Sequence, residues 1–143
     1  AFDKYMPPGV PRVSLVDTVR DEAEESVSVA QALKERLESV RLDTPGERGG
    51  VTVDLVREVR ARLDLAGYRN VGIFVSGGVN PERIRHFLES GAPVDGFGVG
   101  SYISGAKPID FTADLHQVDN KPVAKRGRIP GITPNPRLRK ELG

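Results

Sequence analysis

Cysteine is absent from this chain of 143 residues. No disulfide framework is therefore possible, and no zinc site built on thiolates. An excess of one charge is absent as well. Lys and Arg number 21 and Asp and Glu 20, for a net charge of +1, which gives no argument for a nucleic-acid partner. No apolar run reaches about 18 residues, so no membrane-spanning helix is expected. No signal-peptide pattern is found, and a cytoplasmic setting is the expectation. The chain opens on Ala1 rather than methionine, which reads as a piece of a longer protein or a processed product. What is present is the composition of a globular domain, 38% hydrophobic and 29% charged.

The most informative stretch is 71–84. Val71, Ile73, Phe74 and Val75 form a short apolar run, as in a strand covered on both faces. Gly77 and Gly78 come next and allow positive φ and close approach of a ligand. Asn80 is a good helix N-cap, and Pro81 suits the first helical position. A glycine turn before a helix start is either a site for an anion, most often a phosphate, or a tight connection with no ligand.

Taken in order, residues 1–11 are a proline-rich loop and Arg12 to Val16 a first strand. A helix is predicted from about Val19 to about Ser39, with Ala23, Val27, Ala30, Leu33 and Leu37 as its buried stripe. A second strand covers 40–44. A glycine-containing loop at 45–50 precedes a helix capped by Thr52, with Leu55, Val56, Val59 and Leu63 on its apolar face. The third strand and helix are those of 71–84, with Ile84, Phe87 and Leu88 buried and Gly91 ending the helix. A fourth strand, 94–100, closes in a second glycine turn at Gly98, Gly100 and Ser101.

The predicted fold class is therefore α/β: four parallel strands and three helices, half of a (β/α)₈-like barrel, with a β-hairpin and an extended tail after it. The expected divisions are 1–108 for the partial barrel, 109–128 for the hairpin and 129–143 for a basic, proline-containing tail. In the hairpin, Ile109, Phe111, Ala113 and Leu115 alternate with polar residues, Asp119 and Asn120 turn, and 122–125 runs back. Arg137, Arg139 and Lys140 make the tail basic, and it is read as a solvated arm.

Ligand-binding residues of such folds gather at the C-terminal ends of the strands. Here those ends carry Asp17, Asp43, Ser76 with Gly77 and Gly78, and Gly98 with Gly100. Glycine turns on two consecutive strands form a pattern suited to gripping phosphate. Arg41 and Asp43 share one face of the second strand, where they either serve a ligand or pair with each other. Asp17 is either a site residue or a helix N-cap.

In this order the motifs Leu15-Val16-Asp17-Thr18, Val40-Arg41-Leu42-Asp43, Phe74-Val75-Ser76-Gly77-Gly78 and Asp95-Gly96-Phe97-Gly98-Val99-Gly100 resemble nicotinate phosphoribosyltransferase. The segments 111–114 and 121–125 resemble the hairpin that comes after the barrel in that family, so the likeness spans roughly Phe2 to Arg128. The resemblance implies a type II phosphoribosyltransferase of NAD biosynthesis. Such an enzyme joins nicotinate to phosphoribosyl pyrophosphate, releasing pyrophosphate, with ATP as co-substrate and Mg²⁺ as cofactor. It implies that Gly77, Gly78, Gly98 and Gly100 hold the 5-phosphate through N–H groups, with Ser76 and Ser101 as extra donors. Asp43 would accept from the ribose hydroxyls, and Arg41 would face the pyridine ring or its carboxylate. Asp17, with Thr18 among the substrate-binding residues, would lie near the pyrophosphate or its Mg²⁺.

The histidine that the family phosphorylates belongs to a segment upstream, and neither His86 nor His116 matches it. No catalytic residue is therefore expected here, and the chain alone is expected to be inactive. Partners would be the missing N-terminal half or a second copy, because a half-barrel leaves open strand edges. Two other readings stand beside this one. The first is a truncated, non-catalytic homologue that binds a phosphorylated ligand or a partner subunit, and the second is the related quinolinate phosphoribosyltransferase.

Overall fold

The structure, a computed structural model, describes residues 2–137. A first compact unit ends at Ala106 and a second begins at Lys107. The first unit opens with a short helix α1 (Phe2–Tyr5) and strand β1 (Arg12–Leu15). Helix α2 (Glu22–Leu33), strand β2 (Leu37–Leu42), helix α3 (Val53–Leu65) and strand β3 (Gly72–Val75) come after them. Helix α4 (Pro81–Glu89), strand β4 (Gly96–Phe97) and a one-turn helix α5 (Ser101–Ser104) complete it. The four strands form one parallel sheet in the sequential order β1-β2-β3-β4, as predicted.

The register explains the two faces of this sheet. Val40 lies opposite Ile73 and Leu42 opposite Val75, and all four are fully buried. They join Ala23 and Ala30 of α2, Val56, Val59 and Leu63 of α3 and Phe87 of α4 in a single core. Burial of these apolar side chains is the main force holding helices to sheet, at about 1.5–3 kcal/mol for each large one. The other face pairs Leu15 with Arg41 and Arg41 with Phe74. It is open: Val13 is 46% and Leu15 40% exposed.

Local chemistry accounts for the helix starts. The Asp21 carboxylate accepts from the N–H groups of Ala23 and Glu24, at 3.0 and 3.2 Å, and so begins α2. Thr52 caps α3, and Asn80 caps α4 by accepting from Arg83 N at 2.8 Å with Pro81 at the first position. The predicted helix from Val19 to Ser39 was too long at both ends. Asp17 is not its cap, because Asp21 takes that position. At the far end Lys34 takes a φ of 53°, and Lys34–Arg36 form one 3₁₀ turn. Leu37 then enters β2 and is buried there, so that strand covers Leu37–Leu42 rather than 40–44. The fourth strand is likewise shorter than predicted, and Leu88 is 65% exposed rather than buried.

A hollow of about 790 Å³ sits at the N-terminal ends of the strands, lined in part by Asp3, Arg12, Glu35 and Asn70. Its buried Arg12 donates to the carboxylate of Asp3 and to the carbonyls of Met6 and Pro7, at 3.2, 2.9 and 2.8 Å. That guanidinium therefore ties the proline-rich opening loop to the sheet.

In the second unit β5 (Gln117–Val118) pairs antiparallel with β6 (Lys121–Pro122). Asp119 and Asn120 turn between them at φ 47° and 61°, the signature of a two-residue hairpin turn. The turn lies where it was predicted, but the strand expected from Ile109 to Leu115 does not form. The described residues of the unit leave those apolar side chains uncovered, and Phe111 is 90% exposed. The His116 carbonyl instead collects the N–H groups of Val123 and Gly131, at 3.1 and 2.8 Å. Arg137 is described, whereas Arg139 and Lys140 of the predicted basic tail lie outside the described residues.

Candidate active site

The C-terminal ends of β2, β3 and β4 enclose a cleft of about 400 Å³. It is lined by Arg41, Asp43, Ser76, Gly77, Gly78, Gly98, Val99, Gly100 and Ser101. Eight of these were singled out from the sequence; Val99 was not. Alternation along β2 places Arg41 and Asp43 on the cleft side while Leu42 fills the core. No ion pair joins Arg41 to Asp43 among the described residues, so the reading in which they neutralise each other fails.

The two glycine turns are built differently. Gly77 and Gly78 both have positive φ, 79° and 60°. A Cβ on Gly77 would lie 2.7 Å from Oδ1 of Asp43, so the carboxylate rests against the bare Cα. Gly98, expected to offer its N–H to the 5-phosphate, serves close approach instead: that N–H donates to Val75 O at 2.8 Å, and a Cβ there would meet Ser76 Cβ at 3.0 Å. Among the described residues no acceptor is bonded to the N–H groups of Gly77, Gly78, Gly100 or Ser101. An open cleft with several uncommitted backbone donors suits an anion.

Three expectations about individual side chains change. The Ser76 hydroxyl was read as a phosphate donor, but it is buried and donates to Leu42 O at 3.0 Å, beside its own N–H on the same oxygen at 2.7 Å. Ser76 thus joins β3 to β2, and its proton is already committed. Ser101 opens the short helix α5 rather than extending the glycine turn. Asp17 and Thr18 do not line the cleft. Thr18 is exposed, and Oδ2 of Asp17 accepts from the Asp43 N–H, which fixes where the Asp43 carboxylate begins.

Two residues were missed. Glu22, buried in the first turn of α2, accepts from the Thr44 hydroxyl at 2.8 Å and so anchors the chain just beyond Asp43. Arg83 of α4 donates to Gly77 O at 2.6 Å and to Val51 O at 2.8 Å. Only the spacing of an arginine six residues after a glycine turn could have signalled it. The histidines gave no catalytic expectation: His86 is exposed on α4, and Nδ1 of His116 lies 2.7 Å from Ile129 O in the second unit.

Among the described residues no group of three or more His, Cys, Asp or Glu is placed to hold a metal ion. Among them, too, no helix is long and apolar enough to cross a membrane.

Residues 12–114 match the family model described as quinolinate phosphoribosyl transferase, C-terminal domain. Nicotinate phosphoribosyltransferase pncB2, from two strains of Mycobacterium tuberculosis, is 36% identical over 105 residues, 72% of this chain. The crystal structure of nicotinate-nucleotide pyrophosphorylase from Pyrococcus furiosus superposes with a TM-score of 0.70 at 46% identity over 92% of this chain. The chain spans 21% of the length of the curated relatives and 33% of the solved one. The matched residues hold all four strands and both glycine turns, and the chain belongs to the phosphoribosyltransferase family defined by the quinolinate phosphoribosyl transferase C-terminal domain.

Proposed function

We propose that this chain supplies half of the active site of a nicotinate phosphoribosyltransferase. The full reaction would form nicotinate mononucleotide and pyrophosphate from nicotinate and phosphoribosyl pyrophosphate, coupled to ATP hydrolysis. The observation that carries the proposal is the single cleft in which uncommitted N–H groups, Arg41 and Asp43 face the same space. Displacement at ribose C1 passes through an oxocarbenium-like state, so catalysis depends on holding the parts in place. The N–H groups of Gly77, Gly78, Gly100 and Ser101 bind the 5-phosphate. Asp43 accepts from the ribose hydroxyls and stands near the developing positive charge. Arg41 meets the base carboxylate, for which a guanidinium fork is the natural partner.

Mg²⁺ carried on the pyrophosphate would neutralise the leaving group. Asp43, which lines the cleft, would be the carboxylate to meet such an ion, because Mg²⁺ is commonly held by one or two carboxylates together with substrate phosphates; Asp17, which does not line the cleft, would act on it through the Asp43 backbone that it holds.

The test is calorimetric titration of the chain with nicotinate mononucleotide and with its nicotinamide counterpart, which lacks the carboxylate. The nicotinate form should bind more tightly, and Arg41→Met should remove that preference, a loss of about tenfold or more for a charge-assisted pair. A preference that survives in Arg41→Met would take Arg41 out of the base site. Quinolinate phosphoribosyltransferase is the second reading, favoured by the description of the matching family. Tighter binding of quinolinate than of nicotinate would select it.

The open face of the sheet, with Val13 and Leu15, is proposed to pack against further barrel strands or a second copy of the chain. Sedimentation should then show a self-associated chain; a monomer at all concentrations would count against association through this face.

A further inference from the structure

We infer that Arg83 is a positioning residue that aims the Gly78 N–H into the cleft. The inference deepens the phosphate-binding reading and rests on it. A trans peptide is planar, with its C=O and the following N–H pointing in opposite directions. The Gly77 carbonyl is held by Nη1 of Arg83 at 2.6 Å, and Arg83 does not line the cleft. The Gly78 N–H, the other end of that same peptide, is therefore turned away from the guanidinium, and Gly78 does line the cleft.

The second arm of the fork makes the hold rigid. Nη2 of Arg83 donates to Val51 O at 2.8 Å, in the chain just before α3. The backbone of Arg83 is itself fixed, since its N–H is the one that Asn80 caps. One side chain thus locks the peptide of a left-handed Gly-Gly turn to two neighbouring segments. A turn at φ 79° and 60° has no side chains of its own to hold it, so an unclamped peptide here would be free to flip. The guanidinium also places a positive charge behind the donors, close enough that a Cβ on Gly78 would sit 3.6 Å from Nη1.

The experiment is an inorganic phosphate titration of the ¹⁵N-labelled chain, read from its amide resonances. In the parent chain the amides of Gly78 and of Gly100 should both shift. In Arg83→Gln the Gly78 response should be lost and the affinity should fall about tenfold or more, while the Gly100 amide still responds at higher phosphate. General unfolding would silence both amides, so the split separates positioning from a merely structural part. Arg83→Lys keeps the charge but not the fork, and it should resemble Arg83→Gln.

Full recovery in Arg83→Lys would overturn the inference in favour of charge alone, and an unchanged Gly78 response in either variant would overturn it outright. Should Arg83→Gln fail to fold, Arg83→Lys decides. The parent chain alone is also decisive: a Gly78 amide that ignores phosphate while Gly100 responds overturns the role of Arg83. If neither amide of the parent responds, the phosphate reading itself fails.

Discussion

Gly77→Val is expected to weaken phosphate binding at least about 100-fold and to lower the melting temperature of the chain by about 8 °C. Two effects add. At φ 79° an L-residue suffers a steric penalty of about 1–2 kcal/mol, larger for a β-branched side chain. The new Cβ also falls 2.7 Å from Asp43 Oδ1, so either the turn or the carboxylate must move. About 2 kcal/mol corresponds to some 8 °C for a domain of this size. The ligand loses more, because displacing the turn removes the Gly77 and Gly78 donors together. Charge-assisted hydrogen bonds contribute about 1.5–3 kcal/mol each, so the affinity for inorganic phosphate should fall at least about 100-fold.

Gly78→Asn is the matched control. At φ 60° Gly78 lies in the small left-handed region that asparagine tolerates, and a Cβ there meets only Arg83 Nη1 at ordinary contact distance, 3.6 Å. Its stability should change by less than about 1 kcal/mol. Thermal melts and phosphate titrations of the two variants separate the claims. Equal losses in both would mean that the left-handed backbone, not contact with Asp43, is what the turn requires. Undiminished phosphate affinity in Gly77→Val would remove this turn from the site.

The contrast between these neighbouring glycines shows what a sequence can and cannot reveal. Gly-Gly leading into Asn-Pro is local chemistry: each residue acts within a few positions of itself, and the turn and capped helix result from it. The strand order was legible for a related reason, since apolar runs separated by amphipathic helices leave few ways to bury every face. The end of α2 was not legible. Leu33 and Leu37 are four apart, as on a helix face, yet Leu37 is buried in β2 because the sheet offers it better packing than the helix does. The strand expected from Ile109 to Leu115 fails for the opposite reason. Its alternation is clear, but alternation only becomes a strand when a partner strand is at hand.

Site residues divide along the same line. Arg41 and Asp43 could be placed on one face by counting along a strand. The bonds that orient the site could not be counted, because they join residues distant in sequence: Asp17 to Asp43, Ser76 to Leu42 and Arg83 to Val51. Each commits a polar group that sequence reasoning leaves free. Ser76 therefore donates its hydroxyl proton to Leu42 O, and Asp17 accepts from the Asp43 backbone.

Asp43→Asn should act on two ligands with opposite signs. The Asp43 carboxylate lies against Gly77, beside the donors assigned to phosphate, so its negative charge opposes an anion there. It is also the one carboxylate lining the cleft among the described residues, and a carboxylate is the strong acceptor that a pair of ribose hydroxyls requires. Asparagine keeps the shape and leaves the backbone N–H that Asp17 receives, so the fold has no reason to change. Inorganic phosphate should bind Asp43→Asn as well as the parent or better. Ribose 5-phosphate should bind about tenfold to 100-fold more weakly, since hydrogen bonds to a charged acceptor contribute about 1.5–3 kcal/mol and the amide recovers only part of that. Calorimetry with both ligands on both proteins gives the answer without needing turnover. If both ligands weaken together, Asp43 supports the turn rather than the sugar. If neither changes, the ribose hydroxyls are held by acceptors other than Asp43, such as carbonyl oxygens, since no other acidic side chain among the described residues lines the cleft.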